Sequence, residues 1–335
     1  MQFLITGVAG FIGHAVARKL ASQGHQIIGI DNLNDYYDVL LKQARLENLA
    51  SYPNFVFVHL DLANRDGMAE LFNKYDFDRV IHLAAQAGVR YSLENPHVYA
   101  DSNLVGHLNV LEGCRQQQIG HLVYASSSSV YGMNAKFPFS VTDNVDHPVS
   151  LYAATKKANE LMSHSYSHLY KIPTTGLRFF TVYGPWGRPD MAMFKFTKNV
   201  LEGKPIDVYN HGEMSRDFTY IDDIVESVVR IMEVIPQYRE NLAYIKSTHN
   251  DNKAPHALYN IGHGSPVCLM DFIHALEKIT GKKAICNYLP MQPGDVQRTW
   301  ADTDDLYQVI GYQPKYDVEE GVYHFVNWFR NYYRI

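Results

Sequence analysis

Three glycines, Gly7, Gly10 and Gly13, punctuate the opening stretch FLITGVAGFIG at a G-x-x-G-x-x-G spacing. The residues before them read as a short apolar strand and those after them as a helix. Glycine is needed there because the turn is tight and backbone N–H groups must closely approach a bound pyrophosphate. The same turn aims backbone N–H groups and the positive end of the helix dipole at one point, where a pyrophosphate would be held. Taken alone, the glycines also fit a simple packing turn.

The rest of the first half narrows that choice. Strand-like runs at residues 2–6, 26–31, 55–60, 80–84, 121–126 and 174–180 alternate with helix-like stretches at 10–23, 66–75, 102–117 and 151–170. Short continuous apolar strands separated by helices predict a parallel sheet covered on both faces. Right-handed crossovers make this an α/β doubly wound, Rossmann-type fold with ligands at the carboxyl ends of the strands. A length of 335 residues with 46% hydrophobic content suffices for one large domain or two intimate ones. Beyond residue 180 the rhythm breaks at a Gly/Pro/Trp cluster, 184–190. The reading therefore places a dinucleotide-binding domain at 1–180, with a return segment at about 221–260. A smaller α/β C-terminal lobe for the substrate takes 181–335. The polar, aperiodic stretch 237–256 reads as a surface loop.

Composition excludes several classes. A formal net charge of −5 is a poor match for a phosphate backbone, so no nucleic-acid partner is expected. No apolar segment approaches the ~20 residues of a membrane span, and the first residues lack the basic stretch and cleavage pattern of a secretory leader. Cys114, Cys268 and Cys286 form neither a disulfide framework nor a CxxC pair, which points to a reducing cytoplasm. Sixteen histidines include no H-x₃-H pair beside a third ligand, so no metal is expected, and His147 and His211 read as loop residues.

Asp31 closes the second strand, 18 residues after Gly13, where a carboxylate accepts hydrogen bonds from an adenosine ribose diol. An acid there repels a 2′-phosphate, and Asn32 and Leu33 follow rather than an arginine, so NAD is predicted over NADP. Asp61, after the third strand, fits a contact to the adenine amine or a cap on the next helix. Phe11, Ile12, Asn32, Leu62, Leu83, Ala84 and Ala85 complete the predicted cofactor cleft at the turn and the strand ends.

Tyr152 and Lys156 stand at i and i+4 near the start of a predicted helix and so share a face. A nearby ammonium favours phenolate, which suits a general base for an alcohol. Ser127, at the end of the strand HLVYASSSS and 25 residues before Tyr152, can hydrogen-bond the same hydroxyl or merely form a small polar turn.

With these come HLAAQAGVR (82–90), DSNLVGHLNVLE (101–112), SSSSVYG (126–132), YAATKKANE (152–160), RFFTVYGPWGRPDMA (178–192), SRDFTYIDDI (215–224) and QPGDVQRTWAD (292–302). Over essentially its whole length the chain resembles the extended short-chain dehydrogenase/reductase family and, within it, the nucleotide-sugar 4-epimerases. The resemblance implies that Tyr152 is the base, that Lys156 holds the nicotinamide ribose and that Ser127 assists. It further implies that Asn103 supports the nicotinamide site and that Arg216 binds the sugar-nucleotide diphosphate, helped by the loop bearing Asp295 and Arg298. A homodimer through a four-helix bundle of the 102–117 and 151–170 helices is implied as well; Leu104, Leu108, Leu111, Leu161 and Leu169 lie on them, where ordinary packing would use the same residues.

Within the family, dehydratases place an Asp-Glu pair and decarboxylases a Glu just before VYG, where this chain has Ser128 and Ser129. Thr181 replaces the Asn usual in UDP-glucose-type epimerases. The 178–192 block and DNLNDYY (31–37) resemble UDP-glucuronate 4-epimerases, so the expected activity is NAD-dependent 4-epimerisation of a UDP-uronic acid through a transient 4-keto sugar. UDP-hexose epimerase, and then decarboxylase, follow in order, and a non-catalytic NAD-binding protein is the alternative of another class. A uronate carboxylate suits the guanidinium of Arg188, though a loop arginine also serves surface contacts; Thr181 and Ser128 are weaker candidates. Arg90 is a second arginine that could instead hold a phosphate or a loop. Tyr209 offers a stacking face for uracil or a core-packing ring.

Overall fold

A strand that is apolar along its whole length is satisfied only inside a sheet covered on both sides. In the computed structural model, which describes residues 1–237, 254–292 and 295–335, the six predicted strands all form. They are β1 (Gln2–Thr6), β2 (Gln26–Asp31), β3 (Phe55–His59), β4 (Arg79–His82), β5 (Leu122–Ser127) and β6 (Thr174–Phe179). A seventh, β7 (His256–Ile261), completes one sheet in the order β7-β6-β5-β4-β1-β2-β3, and every neighbouring pair is parallel. The order reverses between β1 and β4, and this switch opens a crevice at their carboxyl ends. Residues 238–253 of the predicted surface loop lie outside the described residues.

Helices Phe11–Ser22, Arg65–Lys74, Gly106–Gln117 and Leu151–Tyr170 fall where periodicity placed them. Ser150 caps the last by accepting from Ala153 N, which puts Tyr152 and Lys156 in its first two turns. Helix Val39–Ala50, capped by Asp38, was not predicted. Its inward face carries Lys42 and Arg45 beside Leu41 and Leu49, and the two cations break the apolar period. A π-helical turn, Ala100–Val105, precedes Gly106–Gln117 and presents Asn103 inward.

The smaller lobe pairs Pro205–Tyr209 with Ile285–Leu289, Ser215–Arg216 with Val267–Cys268, and Thr181–Tyr183 with Phe218–Tyr220, under helices Leu269–Thr280 and Val318–Tyr333. Between its segments the chain returns to the sheet. Helix Ile221–Glu233 packs on Phe11–Ser22, with Lys19 Nζ 3.4 Å from Glu226, and β7 extends the edge beside β6. One apolar core runs from Phe3, Ile5 and Val16 to Phe272, Phe325 and Phe329, so both lobes bury their faces together. Leu111, left open by the sequence between the implied bundle and ordinary packing, is a core residue with no exposure. Leu161 and Leu169 are exposed by 60% and 63%. Among the described residues no helix is long and apolar enough to cross a membrane.

Candidate active site

The glycine turn is dictated by contact. Gly7 has φ +74°, and a Cβ there would stand 2.8 Å from the Ala84 backbone; a Cβ on Gly13 would lie 2.1 Å from the Gly7 carbonyl oxygen. Beyond it, Gly10 caps helix Phe11–Ser22 without any side-chain hydrogen bond, which leaves first-turn N–H groups facing a cleft. Gly7, Gly10, Phe11, Ile12, Gly13, Asp31, Asn32, Asp61, Leu62, Leu83, Ala84, Ala85, Tyr152 and Lys156 all line that cleft. The Asp31 carboxylate accepts from Ala9 N (3.1 Å) and Leu33 N (2.9 Å), so it braces the glycine loop as well as facing the cleft. Asp61 accepts from Asn32 Nδ2 and Ala63 N, and the cap of the following helix falls to Asn64.

Asn103 does not line the cleft. Buried behind it, Asn103 accepts from Gln86 N (2.8 Å) and donates to Gln86 O and Thr155 Oγ1, which ties the loop after β4 to the helix of Tyr152. Lys42, Tyr36, Tyr37 and Gln86 also line the cleft and were not found by sequence. Lys42 donates to Asn34 O and Oδ1 (2.6 and 2.8 Å); burial pulls its ammonium below the usual lysine range, while Asp31 works in the opposite direction. Tyr36 and Tyr37 fall in DNLNDYY and Gln86 in HLAAQAGVR, stretches without helical or strand period, and Lys42 falls in neither.

At the other end of the cleft Ser127 terminates β5 beside Tyr152 and Lys156. Burial raises the Tyr152 phenol above its ordinary value, opposed by hydrogen bonding to Ser127 and by the Arg188 charge. Burial lowers Lys156 to about 8, and its ammonium donates to Ala125 O at 2.9 Å. By sequence, the lowering influence on the phenol falls to the Lys156 ammonium with help from Ser127; here Ser127 hydrogen bonding and the Arg188 charge are the groups that oppose burial. Beneath them, Arg178 forks onto Glu160 (2.8 and 2.9 Å) and Ser126 donates to the same carboxylate, so a buried pair clamps the Tyr152 helix to β5 and β6.

The predicted substrate residues divide. Arg188 lines the cleft near Tyr152, and its Nε and Nη2 fork onto Asp190, which also accepts from Tyr36 OH. Burial works against this guanidinium, yet Asp190 holds it more basic than an ordinary arginine. Ser128, Thr181, Arg216 and Asp295 line an adjoining smaller cavity, so β5 ends on the divide between the two. Arg298 lies in a third hollow, 5.4 Å over Phe137 and 4.8 Å over Trp300. Arg90 pairs with Asp295 at 2.7 Å and covers the Tyr209 ring at 4.9 Å. One face of the Tyr209 ring, which the sequence left open between a uracil platform and core packing, is thus covered by an intramolecular cation.

A capless helix start, a glycine cradle, a strand-terminal acid and a Ser-Tyr-Lys group in one crevice define a dinucleotide-dependent enzyme acting on a carbinol. The chain belongs to the NAD dependent epimerase/dehydratase family, whose model matches residues 3–244. It is 52% identical to the "Probable UDP-glucuronate 4-epimerase" of Rhizobium meliloti (strain 1021), covering all of this chain and 98% of that one. It is 47% identical to UDP-glucuronate 4-epimerase 1 of Arabidopsis thaliana, over 99% of this chain and 77% of the relative. A crystal structure of the Bacillus cereus UDP-glucuronic acid 4-epimerase in complex with UDP-glucuronic acid and NAD superposes with a TM-score of 0.88, at 32% identity, over 99% of this chain and all of that one.

Proposed function

We propose that this chain is an NAD-dependent 4-epimerase that interconverts UDP-glucuronate and UDP-galacturonate. The observation that carries this reading is convergence: Ser127, Tyr152, Lys156 and Arg188 meet in the cleft that begins at the glycine turn. NAD, when bound, supplies a reversible hydride acceptor for C4 of the sugar; the glycine turn and Asp31 hold its adenosine and pyrophosphate, and Lys156 its nicotinamide ribose. Tyr152 takes the proton from O4 and later returns it, while the Ser127 hydroxyl orients the same oxygen. The 4-keto sugar must then present its other face, which a cleft open between two lobes permits. No carboxylic acid stands at Ser128 or Ser129 to drive an elimination. A 4-keto uronate loses CO₂ readily, so the site must hold the carboxylate close to the ring plane, and Arg188 is the group placed to do so. Arg216, Asp295, Ser128 and Thr181 belong to the adjoining nucleotide-sugar side.

The deciding assay is pure protein with UDP-glucuronate and no added NAD, products resolved by chromatography. UDP-galacturonate supports the proposal. Turnover of UDP-glucose alone would favour the hexose reading, and UDP-pentose as main product a decarboxylase.

The assembly we propose is a homodimer in which helices Gly106–Gln117 and Leu151–Tyr170 of two copies form a four-helix bundle. Exposed Val105, Leu161 and Leu169 support it; sedimentation as a 38.3 kDa monomer would refute it. Unpaired Cys114, Cys268 and Cys286 support a cytoplasmic location.

A further inference from the structure

Arg45 is completely buried on helix Val39–Ala50, and no carboxylate among the described residues pairs with it. A guanidinium without an acid partner is expensive to bury, so its position calls for a reason. Its hydrogen bonds reach three separate loops. Nη1 donates to Ala9 O in the glycine turn (2.8 Å) and to Tyr37 OH (2.7 Å). Nη2 donates to Trp186 O (2.6 Å) and Gly187 O (3.3 Å), immediately before Arg188. Nε is buried with no partner, so the side chain is placed by its fork. The Trp186 backbone is left-handed, φ +66°, a conformation costly for a bulky residue unless its surroundings impose it. Those surroundings are the Arg45 fork on its carbonyl, and His14, Trp328 and Tyr332 around its ring at centroid distances of 5.4 Å.

We infer that Arg45 is a positioning residue that ties the pyrophosphate turn to the Trp186–Arg188 loop, so that one buried cation sets both the grip on the dinucleotide and the placement of the guanidinium facing the sugar carboxylate. The inference rests on the reading of Arg188 given above. It also explains why the cation stands without an acid: both loops that it braces face anions, the pyrophosphate on one side and the uronate on the other.

The test is Arg45→Lys, which keeps the charge but cannot bridge two loops. The expected enzyme keeps its circular dichroism, raises KM for UDP-glucuronate by about tenfold, releases more UDP-pentose, and loses bound NAD on gel filtration. A purely structural role would move none of the last three in folded protein. In an Arg188→Ala background the KM and product effects of Arg45→Lys should vanish, because both act through one guanidinium; full additivity, or parent values in the single variant, overturns the inference. If Arg188→Ala itself keeps parent KM and products, the carboxylate reading fails separately. NAD retention then decides for Arg45, loss supporting the tie and parent retention overturning it. Should Arg45→Lys not fold, Tyr37→Phe removes one acceptor of the same fork. A rise in KM of about twofold or more with NAD loss supports the tie, and parent values in both overturn it.

Discussion

Tyr152 and Arg188 carry separable tasks in one cleft, and substitutions should separate them. Tyr152→Phe removes only the proton-transferring oxygen, so turnover should fall about 10³-fold while bound NAD, read from the absorbance of denatured supernatant, stays at the parent level. Arg188→Ala removes a charge-assisted fork worth about 1.5–3 kcal/mol. KM for UDP-glucuronate should rise about 10- to 100-fold, with UDP-pentose appearing among the products; unchanged KM and products would remove Arg188 from the site. Tyr152, Lys156 and Ser127 were legible in sequence, because i,i+4 spacing and a strand end are local facts. The occupancy of Arg188 by Asp190 within one loop, and of Arg90 by Asp295 across two, was not: none of these loops has a periodic signature.

At the scale of elements, the catalytic helix is held by chemistry as well as by apolar contact. Arg178 and Glu160 are exposed by only 2% and 3% and form a two-point pair that Ser126 joins. Glu160→Gln leaves the guanidinium buried without a counter-charge and should cost about 3–5 kcal/mol, seen as a lower urea midpoint. Replacing both partners with leucine should cost much less, since the desolvation of both charges is then avoided. A single-variant loss below about 1 kcal/mol would show that the pair is not the clamp described. The six strands up to Phe179 and four of the helices between them were foreseeable from apolar period. Helix Val39–Ala50 was not, because Lys42 and Arg45 take inward positions that the pattern reserves for apolar residues.

Across the whole molecule, burial suppresses the basicity of several histidines. It brings His14, His107 and His256 down to about 3 and His121 to about 4. The unfolded chain binds protons at these positions below about pH 6.5 whereas the folded chain does not. Stability is therefore retained above pH 6.5 and lost as pH falls from there towards 3–4, each histidine contributing a slope of up to about 1.4 kcal/mol per pH unit. Urea midpoints measured between pH 7 and 5 should decline steeply, and His107→Gln should flatten the curve; a flat parent profile would contradict the burial described. Local spacing and periodicity by themselves determined six strands of the doubly wound sheet, the glycine turn, the strand-terminal Asp31 and Ser127, and the Tyr152–Lys156 pair, since each depends on neighbours within a turn or a strand. Tertiary structure alone decided which charges meet, from the Arg45 fork to the cover on Tyr209. Such pairings are set by how distant loops close over one shared core, and by the cost of leaving a buried charge without a partner.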